Sequence, residues 1–257
     1  MTDPAFYTRV ADRFGGYPDW PPRAAHYPEG DPEEYFDARL GALGAADAGL
    51  LDVGCADGRN LLAVADRFAR VRGIDLSARM LEAARRNQER AGPGRAVGHV
   101  VFEVGDASAT GLPDASVDVV SSRRGPLFPG EFHRVLTDRG AVVHLGIGEH
   151  DARALKEALG RGQNYGRWDE VPLAQQGRES LERAGFRVEY RAFRFEEYFH
   201  SAQDLRGFLG KVPIFEDFDP VADQRGLDAY LRRATSPRGV HLARHWFVLV
   251  ARKAAAG

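Results

Sequence analysis

The stretch LLDVGCADGRN, Leu50 to Asn60, closes an apolar run with a carboxylate, Asp52, and then sets Gly54, Ala56 and Gly58 at every second position. An apolar run ending on an acid and followed by small residues reads as a strand turning into a helix through a tight loop. Such loops let backbone approach a nucleotide-like cofactor closely. Dinucleotide loops read G-x-G-x-x-G, but here the third glycine position is Arg59. A carboxylate at the strand end is also a poor neighbour for a pyrophosphate. Both features point to a cofactor without phosphate and with a cationic amino-acid end.

Two further acids extend the pattern. Asp75, in VRGIDLSARM, closes a second apolar run 17 residues after Gly58 and can accept from both hydroxyls of a ribose. Asp106, in VVFEVGDASATGLP, follows a third and can accept from an adenine amino group. The three acids form a ladder for an ammonium, a ribose and an adenine in turn. S-adenosylmethionine carries those groups in that order.

In LLDVGCADG, GIDLS, GDA, SVDVVSS and EFHRVLTDRGAVVHL the sequence resembles the class I S-adenosylmethionine-dependent methyltransferases, over about residues 49–150. The resemblance implies a seven-stranded, mostly parallel sheet with an antiparallel last strand. It places Asp52, Gly54 and Gly58 at the methionine end, Asp75 at the ribose, and Asp106 with Ala107 at the adenine, with Leu76 also among the cofactor-binding residues. Ser122 is placed at the same cleft. Ala56 stands where the family often has glycine, a small change that keeps the loop open.

Elements must hold these residues at one edge. Strands are expected at 49–53, 71–75, 97–104, 117–121 and 141–147, with helices over about 58–69 and 77–91, the latter stopped by Gly92. PLAQQGRESLERAGF reads as a helix, FRVEYRAFRFEEYF as a sixth strand and GVHLARHWFVLVARK as a seventh. Alternating strands and helices predict an α/β, Rossmann-like sheet with helices on both faces. Residues 1–48 read as a helical arm, with Asp31 as N-cap, Pro32 at the first helical position and Glu34 completing a capping box. The domain proper is expected over 49–257. Insertions at about 149–172 and 199–237 leave the carboxyl ends of strands, where open α/β sheets hold ligands, and the second is expected to form a helical lid with Phe208 and Phe215 turned inward.

No residue declares itself catalytic; the candidates are Arg123 and Arg124 after strand four, and Glu149 and His150 after strand five. The arginines suit an anionic group on the acceptor or the cofactor carboxylate, and strand alternation predicts that they point to opposite sides. Glu149 and His150 could serve as a base or as a helix cap. Asn164, Tyr165 and Trp168 could line a pocket or only stabilise their loop. Cys55, the single cysteine, reads as a small residue in a tight turn and excludes an internal disulfide. His241 and His245 fall in one expected strand about 13 Å apart, too far to share a metal; no metal site is expected.

The chain of 257 residues has a net charge of −2, so nothing global suggests nucleic acid or an anionic membrane. Residues 1–48 carry 4 basic and 9 acidic side chains, and residues 190–220 carry 4 and 6. Neither offers the positive footprint that a phosphate backbone requires. After strand four, SSRRGPLFP lacks the Asn/Asp-Pro-Pro-aromatic motif of the nucleic-acid amine methylases. The opening MTDPAFYTRV has no secretory pattern and no stretch of 18 apolar residues occurs, which reads as a cytoplasmic protein. The expectation is methyl transfer to a small-molecule acceptor bearing an anionic group, resembling bacterial quinone-biosynthesis enzymes. A ribosomal RNA base methyltransferase and a cofactor-binding protein without turnover are the alternatives.

Overall fold

The computed structural model describes residues 4–17, 19–91 and 97–254; the helix stop expected at Gly92 lies outside them. One mixed sheet organises the chain. Its parallel heart is β2 (Ala45–Val53), β3 (Phe68–Asp75), β4 (Val100–Val104), β5 (Val117–Arg123) and β6 (Leu136–Ile147). The last six residues of β2 are all buried, as expected of a central strand covered on both faces. The long strands β7 (Phe186–Phe199) and β9 (Gly239–Lys253) complete it, and β9 runs antiparallel to both β6 and β7. The order is β4-β3-β2-β5-β6-β9-β7. Chain order reverses between β2 and β5, so the ligand cleft of such a sheet opens there.

Two short strands extend the expected seven. β1 (Arg23–His26) pairs with the end of β7, and β8 (Thr235–Ser236) forms a hairpin with β9. The arm is therefore not wholly helical. It holds α1 (Pro4–Phe14) and α2 (Pro32–Gly41), but β1 between them closes the far edge of the sheet. The boundary expected at residue 48 falls inside β2. Asp31 caps α2 as expected, accepting from the Glu33 N–H at 2.8 Å.

Between the strands lie α3 (Arg59–Val64), α4 (Ala78–Ala91), α5 (Pro129–Val135) and α7 (Leu173–Arg183). The helix expected over 58–69 is shorter, because Phe68 is already paired with Ala45 and buried as the first residue of β3. One face of the sheet packs on Phe36, Leu40, Leu61 and Leu81 from α2, α3 and α4. The other packs on Phe132, Val135 and Leu181 from α5 and α7. A third apolar cluster joins α6 (Arg153–Leu159), α8 (Ala202–Leu209) and α9 (Gln224–Ala234) to the ends of β7 and β9. Residues 199–237 contain helices as expected, and Phe208 and Phe215 are buried in this cluster. No helix among the described residues is long and apolar enough to cross a membrane.

The cap rests on the sheet through a few rings, chiefly Phe208 against Phe199 with centroids 5.0 Å apart. Phe208→Ala should cost about 3–5 kcal/mol of local stability. Hydrogen exchange should show residues 202–209 losing protection while β2 and β5 keep theirs; equal loss in both would mean that cap and sheet unfold as one unit.

Candidate active site

The loop after β2 is held by three backbone N–H groups. Gly54 and Cys55 donate to the Ile74 carbonyl at 2.8 and 3.1 Å, and Ala56 donates to Asp75 Oδ2 at 2.9 Å. Gly54, Ala56 and Gly58 all have positive φ, at 71°, 48° and 70°. A Cβ on Gly58 would lie 2.6 Å from the Phe102 ring, so close packing excludes any side chain. Cys55 is buried, which pushes its thiol well above the ordinary range and leaves it unreactive.

Asp75 accepts from Ala56 on one oxygen and from the Ser77 N–H at 2.8 Å on the other. Each oxygen keeps acceptor capacity for a hydroxyl. Asp52 is buried and takes a bond from Ser121 Oγ at 2.5 Å. Burial raises its carboxyl to about 6, against the opposing pull of Ser121 and Arg123. A buried carboxylate of that kind is completed by a cation. Asp106 is exposed and turns on itself, its Oδ1 accepting from both the N–H and the hydroxyl of Ser108. Ala107 is buried beneath it, while Leu76 leaves 46% of its surface exposed beside Asp75. These residues fit S-adenosylmethionine: Asp52 would meet the ammonium, Asp75 the ribose and Asp106 the adenine, with Leu76 offering an apolar surface beside Asp75. Ser122 is buried and spends its hydroxyl on the Pro126 carbonyl at 2.7 Å, so it shapes the turn.

Arg123 and Arg124 do not diverge. Arg124 has left the strand, with φ at 56°, and both guanidiniums reach Glu33 on α2. Arg123 also pairs with Asp37 and lies 4.4 Å from the Phe36 ring centre, its side chain only 9% exposed. Arg124 lies 5.0 Å from the Trp246 ring centre and keeps 32% exposure. Burial weakens its hold on its proton, and Tyr17, Arg244, Tyr7 and Glu197 also act on it.

Around Arg124 stands a set of residues that motif reading misses. The Tyr17 N–H donates to Asp57 at 3.0 Å, and its ring lies between Tyr7 and Trp20. Burial raises its phenol well above the ordinary value, so it stays protonated. Trp20 packs on Phe208, which ties the arm to the cap. On β9, Arg244 is buried between Asp151 and Glu197. These partners lie far apart in sequence and have no spacing signature.

Glu149 is buried and accepts from the Leu173 N–H at 3.0 Å, with His150 Nε2 at 3.7 Å and His245 Nδ1 at 3.9 Å. Burial alone would raise its carboxyl, but backbone N–H groups and the two histidines outweigh it and hold it below 4.5. His245 is driven down by burial, against the pull of Glu149. Tyr165 and Trp168 stack edge to face, with Arg153 over Trp168, and so support their own loop.

Comparison with known proteins bears on the fold. Residues 50–146 match the family model of a methyltransferase domain. No curated protein sequence matches. A methyltransferase from Thiobacillus denitrificans, solved with S-adenosyl-L-homocysteine, is 20% identical with a TM-score of 0.55; the match covers 99% of this chain and all of that one. The phosphoethanolamine N-methyltransferase 2 of Haemonchus contortus, in complex with phosphomonomethylethanolamine and S-adenosylhomocysteine, is 19% identical with a TM-score of 0.53, covering 97% of this chain and 56% of that one. The [4+2]-cyclase SpnF is 21% identical with a TM-score of 0.57, covering 98% of this chain and 92% of that one. The fold therefore supports more than one chemistry.

Two outcomes follow for the cofactor site. Asp75→Ala should weaken S-adenosylhomocysteine binding by about 1–3 kcal/mol, read by calorimetry; unchanged affinity would remove Asp75 from the site. Asp52 gives a pH dependence. Its carboxyl is raised from 3.8 to about 6, so in the unliganded protein the group is neutral below about 6, and the stability penalty of its burial, absent below about 3.8, is complete above about 6. A cationic ligand needs the ionised form, so affinity should fall as pH drops through about 6 and level off above it. Asp52→Asn should weaken binding and flatten that profile; a wild-type profile that is already flat from pH 5 to 8 would contradict the role.

Proposed function

We propose, on the premise that the chain is a class I S-adenosylmethionine-dependent methyltransferase, that its acceptor is a small molecule bearing an anionic group and that Arg124 is the cation that meets it. The observation that carries this reading is the contrast between the two arginines. Both arginines pair with Glu33, but Arg123 is further enclosed by Asp37 and Phe36, whereas Arg124 lies on Trp246 at the cleft end of β5 and stays partly exposed. A guanidinium stacked on an indole is pre-organised for paired, charge-assisted bonds to a carboxylate or phosphate. The Haemonchus neighbour, solved with phosphomonomethylethanolamine, shows that a protein of this fold can hold a phosphate-bearing molecule.

S-adenosylmethionine supplies an activated methyl group. The chain supplies position: Asp52 and Asp75 fix one partner, while Arg124 and the rings of Tyr17, Trp20 and Trp246 fix the other. Alignment of two bound partners is the main source of rate in such a transfer. Glu149, kept ionised between His150 and His245, is the proton acceptor at this edge for an acceptor that must lose one.

The reading separates the two arginines experimentally. Methyl transfer is measured from methyl-tritiated S-adenosylmethionine to a panel of carboxylate- and phosphate-bearing small molecules. Arg124→Ala should lower efficiency at least tenfold, about 1.5–3 kcal/mol, with little change in unfolding midpoint. Arg123→Ala should lower the midpoint instead, by about 1–3 kcal/mol of stability, since it strands Asp37 and leaves Glu33 with Arg124 alone. Transfer to neutral acceptors only, or equal activity in both variants, would overturn the proposal.

A further inference from the structure

Lys156 lies on α6, just beyond the carboxyl end of β6, and has no exposed surface. Its stem runs past Gly162, where a Cβ would come within 3.1 Å of Lys156 Cγ and 2.8 Å of the Phe215 ring. Its amine has no hydrogen-bond partner among the described residues. The other two lysines are both satisfied: Lys211 donates to the Asp19 carbonyl at 3.0 Å and Lys253 to the Leu136 carbonyl at 2.7 Å.

The charged groups that face Lys156 are Asp151 and Arg244. Asp151 is engaged mainly through Oδ1, which takes three bonds, while its Oδ2 takes only one long bond. It accepts from Arg244 Nε at 2.9 Å and more weakly from its NH2 at 3.4 Å, from the His245 N–H at 3.0 Å and from the Trp246 indole at 3.1 Å. Glu197, the other acid of the cluster, accepts from Arg244 at 2.5 Å and from Arg23 at 2.6 Å. Two carboxylates thus serve three cations, and the one left without a partner is Lys156. Nearby, Arg123 and Arg124 are balanced by Glu33 and Asp37, so the shortage of negative charge is local to the lysine. Solvent does not reach the amine, so hydration cannot compensate the charge. Burial pulls Lys156 down to about 8, with Asp151 opposing and Arg244 adding to the fall.

We propose that Lys156 is a second anchor for the anionic group of the acceptor, a carboxylate or phosphate oxygen that brings the negative charge this cluster lacks. The inference rests on the reading of the cleft as a site for an anionic acceptor and names the residue that neutralises it. Arg124 guides the anion at the mouth, and Lys156 binds it beneath the cap.

With three lysines in the chain, labelling with [ε-13C]lysine gives one resonance each, assigned through Lys211→Arg and Lys253→Arg. The protein is saturated with S-adenosylhomocysteine, and benzoate, phenyl phosphate and neutral benzamide are titrated as probes. Lys156 should titrate near 8 without a probe and move toward the ordinary 10.5 with benzoate or phenyl phosphate, but not with benzamide. Whichever anion produces the larger move identifies the preferred group. Lys156→Met should lose at least tenfold in affinity for that anion while binding S-adenosylhomocysteine as before. If the anions bind and Arg124→Ala weakens them while the Lys156 resonance stays still, the role of Lys156 falls and the anionic-acceptor reading survives. If neither anion binds the wild-type protein, both fall.

Discussion

The hydrogen bond from the Ala56 N–H to Asp75 Oδ2 ties the first loop of the sheet to the end of the second strand. It fixes the left-handed turn of the loop and, in the same contact, the orientation of the Asp75 carboxylate. The donors of Gly54 and Cys55 to Ile74 O lock the loop to the same strand. The rest of the cofactor site follows from that join. Gly58 can approach Phe102 because it has no side chain, α3 starts at once, and Asp52 is left buried with Ser121 as its neutral partner. A buried carboxylate without a cation is costly, so the loop is prepared for a positively charged ligand before one arrives.

The cleft beyond it is built on charge balance. Four arginines reach the same region, and each is answered by acids on another element: Arg123 and Arg124 by α2, and Arg23 and Arg244 by Glu197 and Asp151. Aromatic rings separate these pairs, with Trp246 lying against both Arg124 and Arg244. Such a lining neither repels an anion nor saturates with one, and it holds each guanidinium in one place. Lys156 is the exception among the cations of this cluster: its buried amine has no hydrogen-bond partner among the described residues.

Much of the fold could be read from the sequence, and for identifiable reasons. β7 and β9 match the expected strands residue for residue, because their β-branched and aromatic runs are long and bounded by turns. Asp52, Asp75 and Asp106 stand where the strand-end reading places them, since each closes its own apolar run. β1 was not legible: four residues, three of them exposed, carry no periodicity, and only the end of β7 makes them a strand. The convergence of Arg123 and Arg124 on Glu33 was also hidden, because it spans about ninety residues and depends on the positive φ of Arg124. The excess of acid in the arm was counted against nucleic acid, yet two of those acids, Glu33 and Asp37, serve to neutralise the strand-end arginines.

The central claim is that the loop and the three strand-end acids select a cationic, phosphate-free cofactor. Calorimetric titration of the purified chain with S-adenosylhomocysteine and, separately, with NAD tests it most directly. Saturable one-to-one binding of S-adenosylhomocysteine with no heat from NAD is the expected result. Binding of NAD with comparable affinity, or of neither ligand, would contradict the account.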